Sequence, residues 1–222
     1  MEFAGHCVPA KKVGGDYFDF FPDSEGNVGI VVADVSGHSI SSGIMMAITR
    51  GLLQSEAIQN KRPSRLLQDV NRILFNDLVS SELFITMAYF LYSPEGRRLA
   101  YTNGGHNPPV LFRAGSDEPQ LLDAEGMAIG FLSHVEFEEK GCKLTPGDLL
   151  VAYTDGLVEA ESQQGTPFGM DRLIDCVKKD RHKPAAEILQ GLLQAAWEHI
   201  GGENPQEAQQ DDLTLVVLKA VP

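Results

Sequence analysis

The run Val28-Gly29-Ile30-Val31-Val32-Ala33 constrains this chain more than any other segment. A short, continuous apolar run of this kind suits a strand buried on both faces. Such a strand needs apolar layers above and below it. The run leads straight into Asp34. A carboxylate at the end of a wholly apolar strand has to find hydrogen-bond donors or a cation.

The remaining pattern supplies the layers. Strands are predicted at Glu2–Val8, Tyr17–Phe21, Ile85–Tyr92, Arg98–Thr102, Val110–Phe112, Val135–Cys142, Leu149–Tyr153 and Leu213–Leu218. Pro94-Glu95-Gly96 reads as a hairpin turn. Helices are predicted at Ile40–Ile58, from Pro63 to Leu78, near Gly169–Lys178 and at Pro184–His199. The first carries Ile44, Ala47, Ile48, Gly51 and Leu52 at helical spacing, and the second Leu66, Leu67, Val70, Ile73, Leu74 and Leu78. Runs of strands with segregated helix pairs predict an α+β fold. The expected architecture is a four-layer α-β-β-α sandwich. Two packed, mostly antiparallel sheets would be flanked by helix pairs that bury every stripe. With 222 residues, no repeat and no dividing linker, a single domain over 1–222 is expected.

Composition narrows the function. Against 31 Asp+Glu there are 18 Lys+Arg, a net charge of −13. Such a surface repels nucleic acid and anionic membranes, so neither is an expected partner. Excess carboxylates serve solubility or hold cations, and charge alone does not choose between them. No apolar run approaches the ~20 residues that span a bilayer, and the start lacks the pattern of a signal peptide. Cys7, Cys142 and Cys176 are scattered and odd in number, which reads as reduced thiols. A cytoplasmic protein without membrane insertion is expected. The residues six positions after the cysteines are Val13, Asp148 and His182, none of them arginine, which argues against a phosphate-cradling cysteine loop.

Acidic residues recur where apolar strands meet turns. Asp16 follows Gly14-Gly15, Asp34 follows the apolar run, Asp155-Gly156 follows Leu149–Thr154, and Asp211-Asp212 precedes Leu213–Leu218. Strand ends hold side chains in fixed geometry. Adjacent glycines let the backbone approach a ligand closely. Taken singly, Asp155-Gly156 reads more readily as a turn, Asp16 as support for a bend and Asp211-Asp212 as an edge-protecting pair; Asp34, ending an apolar strand, is the strongest of the four. Together they form an all-oxygen donor set suited to hard divalent cations such as Mg²⁺ and Mn²⁺. Two-metal sites with ions ~3.5–4 Å apart recur in phosphate-ester hydrolysis.

The same segments carry a family resemblance. Val13-Gly14-Gly15-Asp16-Tyr17-Phe18-Asp19, Ala33-Asp34-Val35-Ser36-Gly37-His38, Thr102-Asn103-Gly104-Gly105-His106-Asn107-Pro108, Tyr153-Thr154-Asp155-Gly156-Leu157-Val158-Glu159 and Asp211-Asp212-Leu213-Thr214 occur in that order. The chain resembles the PPM (type 2C) serine/threonine phosphatases, and more narrowly their bacterial SpoIIE/RsbU branch. The resemblance implies the same α-β-β-α sandwich and two divalent cations, Mn²⁺ or Mg²⁺. It implies that Asp34 bridges both metals, that the Val35 carbonyl binds one, that Asp155 and Asp211 hold the other, and that Asp16 acts mainly through water. The implied chemistry is in-line attack on phosphorus by a metal-bridging hydroxide, without a covalent enzyme intermediate.

Other assignments follow from the same resemblance. His38 is a candidate general acid or a turn former; His106 is the same, with Asn103–Pro108 expected to shape a loop. Lys12 stands near the place of a substrate-binding arginine in the eukaryotic branch, where it would act as a point charge. Ser39 departs from the glycine usual in this branch. Asp19 and Asp212 are open between metal contact and a structural role. The implied substrate is a phosphorylated anti-sigma-factor antagonist or similar signalling protein. The implied setting is a catalytic domain excised from a longer chain with an upstream sensor or receiver domain, a homodimer being one arrangement. Helices Ile40–Leu78 would transmit regulation. The alternatives are a pseudophosphatase module in partner-switching regulation, which would have lost ligands, and a hydrolase of small phosphate esters.

Overall fold

The computed structural model describes residues 1–37, 39–57, 62–202, 204–206 and 208–222. In chain order the strands are β1 Glu2–Val8, β2 Asp16–Pro22, β3 Val28–Val35, β4 Ile85–Ser93, β5 Arg98–Gly104, β6 Val110–Phe112, β7 Gln120–Leu121, β8 Glu139–Lys143, β9 Leu149–Tyr153 and β10 Leu213–Lys219. The helices are α1 Ile40–Ala57, α2 Pro63–Ser80, α3 Asp155–Val158, α4 Gly169–Asp180 and α5 Ala185–Ile200.

The chain divides into two compact units. One comprises residues 13–108 and 123–144. Its sheet runs β2-β3-β4-β5-β8, antiparallel throughout. Helices α1 and α2 pack on this sheet. Val31, Ala33 and Val35 of β3 join Leu66, Leu67, Val70, Leu74 and Leu78 of α2 in one core. Each fully buried side chain of this kind contributes about 1.5–3 kcal/mol. Ile30 and Val32, on the other face of β3, are also fully buried, as the apolar run requires.

The second unit comprises residues 1–12, 109–122 and 145–222. Its sheet runs β1-β10-β9-β6-β7, again antiparallel. Helix α5 packs on β1 and β10, with α4 beside it. Ile188, Leu189, Leu192, Leu193 and Ala196 supply the helical side of that core.

The α+β class, the antiparallel sheets and the paired helices agree with the sequence. Three details differ. The strand expected at 135–142 is observed at Glu139–Lys143; before it, Phe137 is buried in the core and Glu138 N donates to Glu125 O, outside any strand. Strand β7, paired with β6, has no counterpart among the predicted strands. Helix α1 presents a different face from the one its isoleucines suggest. Ile44 and Ile48 are exposed, whereas Ser42, Gly43, Met45, Thr49 and Leu53 are buried. Small residues decide the rotation: a Cβ on Gly43 would lie 2.1 Å from the Val13 side chain, and Ser42 Oγ donates to Ser36 O at 2.9 Å. The end of the first predicted helix, at Ile58, lies outside the described residues.

Candidate functional site

In the first unit, β2 and β3 pair so that Asp16 stands opposite Asp34. Directly opposite residues of an antiparallel pair share a face, and like charges there repel. Asp16 is 5% exposed, so water screens the pair only in part. Asp34 lies within β3, one residue before its end, instead of just beyond the strand as the apolar run suggests. The ladder therefore fixes its backbone on both sides, with Thr86 of β4 as its other neighbour.

The segment after Asp34 is pinned by hydrogen bonds. Val35 N donates to Gly15 O at 3.2 Å, and Ser36 N to Phe84 O at 2.9 Å. Phe84 N donates back to Ser36 Oγ at 3.0 Å. Gly15 is required by close approach. A Cβ there would lie 2.4 Å from Val35 O and 3.3 Å from Asp34 Oδ1. The Gly14-Gly15 pair thus brings backbone against the carbonyl and carboxylate that the sequence marks as ligands.

In the second unit, Asp155 opens the short helix α3 right after Thr154. Thr214 N donates to Thr154 Oγ1 at 2.9 Å and Thr154 N to Thr214 O at 3.1 Å, which ties the ends of β9 and β10 together. Gly156 packs so tightly that a Cβ would sit 1.9 Å from Asp212 O. Burial pushes the Asp155 carboxyl above its usual range, and the charges of Asp211 and Glu159 push it further the same way. Asp155 and Asp211 are thus a second electrostatically opposed pair.

Among the described residues no group of three or more His, Cys, Asp and Glu side chains is spaced to hold a metal ion. The carboxylates come as one pair in each unit. Their donor chemistry fits hard divalent cations: every candidate atom is oxygen, and like charges held together on rigid strand ends are relieved by a cation. Val35 adds a carbonyl that a side chain at position 15 would displace.

Other candidates resolve individually. Asp19 accepts the Tyr17 hydroxyl at 2.6 Å and the Phe20 amide at 2.9 Å, and lies 3.7 Å from Arg50. Burial, aided by Asp19, raises the Tyr17 hydroxyl pKa. Asp212 Oδ1 accepts the Ala10 amide at 2.8 Å and fastens the chain leaving β1. Lys12 is exposed. His38 lies outside the described residues. His106 is 6% exposed and its Nδ1 is 2.8 Å from Thr86 Oγ1. Thr86 escaped the sequence reading: it is adjacent to Asp34 only through the β3–β4 register, which two intervening helices leave unmarked in the sequence.

Comparison with known proteins bears on the family and the fold. Residues 24–221 match the family described as Stage II sporulation protein E (SpoIIE). The chain is 27% identical over 220 residues to the phosphoserine phosphatase RsbU of Bacillus subtilis (strain 168), covering 99% of this chain and 63% of RsbU. It is 27% identical over 187 residues to the phosphoserine phosphatase RsbP of the same organism, covering 83% of this chain and 44% of RsbP. Its fold matches that of the SiaA-PP2C domain of Pseudomonas aeruginosa with a TM-score of 0.83 at 22% identity, covering 98% of this chain and 85% of that one. The chain thus spans less than two thirds of the length of either curated relative.

Proposed function

The chain belongs to the SpoIIE family, and from that premise we propose that it is a metal-dependent protein serine/threonine phosphatase. The observation that carries the reading is the Asp16–Asp34 pair, set beside a carbonyl that only glycine at position 15 accommodates. Two relatives named as phosphoserine phosphatases support the same chemistry.

In this reading Asp16, Asp34, the Val35 carbonyl, Asp155 and Asp211 are the ligands of two divalent cations, Mn²⁺ or Mg²⁺. Bound cations supply an acidified water and neutralise phosphoryl oxygens. The protein's own residues hold the ligands in place. Strands β2 and β3 fix Asp16 and Asp34, Gly15 braces the Val35 carbonyl, and the Thr154–Thr214 bonds hold the segment from which Asp155 projects. Lys12 attracts the substrate phosphate as a point charge. His38 gives a proton to the leaving serine oxygen.

The substrate is phosphoserine or phosphothreonine on a signalling protein, an anti-sigma-factor antagonist in this branch. A longer sensor- or receiver-linked phosphatase is the setting, in keeping with relatives that extend well beyond the matched region. Among the described residues no helix is long and apolar enough to cross a membrane, and the cytoplasm is the proposed location. A pseudophosphatase role is not favoured, because Asp16, Asp34, Asp155 and Asp211 are all present.

Phosphate release from a phosphoserine peptide, with Mn²⁺ or with EDTA, tests the reading. Turnover should require Mn²⁺ and vanish in Asp34→Ala. Metal-independent turnover, or full activity in Asp34→Ala, overturns it.

A further inference from the structure

A row of polar residues crosses the first unit's sheet at the end where Asp34 lies. Asp16 pairs with Asp34, Asp34 pairs with Thr86, and Thr86 Oγ1 is 2.8 Å from His106 Nδ1. Opposite residues share a face with Cβ atoms about 4.5–5.5 Å apart. Thr86 is therefore the wall beside Asp34, on the side away from Asp16.

His106 is held as firmly as the strand. Its amide donates to Asn103 Oδ1 at 2.7 Å, and Asn103 Nδ2 donates to the His106 carbonyl at 2.9 Å. His106 and Asn103 are 6% and 5% exposed. The surrounding strand residues Ala33, Met87 and Ala88 are apolar and buried. An apolar trio would pack there without the desolvation that polar side chains carry. A bonded polar set adds rigidity instead. The bond between the Thr86 hydroxyl and His106 ties this strand position, beside Asp34, to the Asn103–His106 turn.

We propose that His106, acting through Thr86, is a positioning residue that fixes Asp34 for cation binding. The proposal rests on the reading of Asp34 as a ligand. Groups that orient metal ligands from behind typically change metal affinity 10–100-fold when removed.

Calorimetric titration of the full chain with Mn²⁺, with melting curves in EDTA alongside, tests this. Thr86→Val, which keeps the side-chain shape, should weaken Mn²⁺ binding about 10-fold, and Thr86→Ser should restore it. His106→Leu should weaken binding similarly, with no further loss when combined with Thr86→Val. A merely structural role would lower the melting temperature and leave the affinity untouched. Wild-type affinity in Thr86→Val, or equal losses from His106→Leu in both backgrounds, overturns the proposal. Asp34→Ala separates the two failures. If it abolishes binding while Thr86→Val is silent, positioning alone falls. If it too binds like wild type, the ligand reading falls and takes this proposal with it.

Discussion

Asp16 and Asp34 stand face to face across the β2–β3 ladder, two carboxylates on one side of one sheet. Opposed like charges of this kind destabilise a sheet by roughly 0.2–1 kcal/mol. The fold keeps a repulsion that a cation would convert into attraction. Asp16→Asn should therefore be more stable than wild type in EDTA by roughly that amount, less so at high salt. In excess Mn²⁺ the order should reverse, because wild type gains binding free energy that the variant lacks. Urea unfolding under both conditions reads the crossover.

Glycine at position 15 makes a sharper geometric prediction. The Cβ of Gly15→Ala would meet the Val35 carbonyl at 2.4 Å. The backbone must shift, at a cost of about 1–3 kcal/mol, and Mn²⁺ affinity should drop with it. Gly51→Ala is the contrasting control. Its Cβ meets nothing within 4 Å and sits inside α1, so it should stabilise the protein by about 0.5–1 kcal/mol and leave Mn²⁺ affinity unchanged. Thermal melts of the two variants should shift in opposite directions, and only Gly15→Ala should change the titration.

Asp148, which precedes β9 at the end away from Asp155, sets a pH dependence of stability. It is 1% exposed and accepts Ala114 N at 2.7 Å, Thr145 N at 2.9 Å and Arg113 Nη1 at 2.9 Å. Burial pushes its carboxyl up, but the two amides and Arg113 outweigh burial and hold it below the usual range. A lowered folded pKa means that its contribution is complete above the unfolded value of about 3.9 and is lost as pH falls through the lower folded value. Urea unfolding from neutral pH down to pH ~2 should show this loss below pH ~4, and Asp148→Asn should flatten it. Asp148→Ala should cost about 3 kcal/mol by leaving Arg113 and two amides without their acceptor.

The exposed face of α1 offers a stability contrast. Ile44→Lys should change stability by less than about 0.5 kcal/mol, since Ile44 is 57% exposed. Leu53→Ala, at a fully buried position, should cost about 2–5 kcal/mol. Equal effects in denaturant titrations would contradict the observed rotation of this helix.

Much of this was legible in the sequence, and the exceptions have a common cause. The apolar run 28–33 announced β3, and the stripe from Leu66 to Leu78 announced α2, because period and burial coincide there. Helix α1 misled because isoleucine spacing outweighed the close contacts of Ser42 and Gly43, which hydropathy does not register. Asp16 and Asp34 were recognisable as strand-end carboxylates beside glycines. Their opposition is a matter of register, which depends on where the turn at Asp23–Asn27 closes. Thr86 was invisible for the same reason, since its neighbour in space lies 52 positions away, across two helices. The structure adds Tyr17 and Ala10 as hydrogen-bond donors to Asp19 and Asp212, contacts that the sequence does not mark.

Calorimetric titration of the intact chain with Mn²⁺, wild type against Asp34→Asn, bears most directly on the central claim. The two-cation reading predicts two Mn²⁺ per wild-type chain and loss of at least one from the variant, whose amide keeps the size of the side chain and removes its charge. Equal stoichiometry and affinity in the two proteins would contradict it.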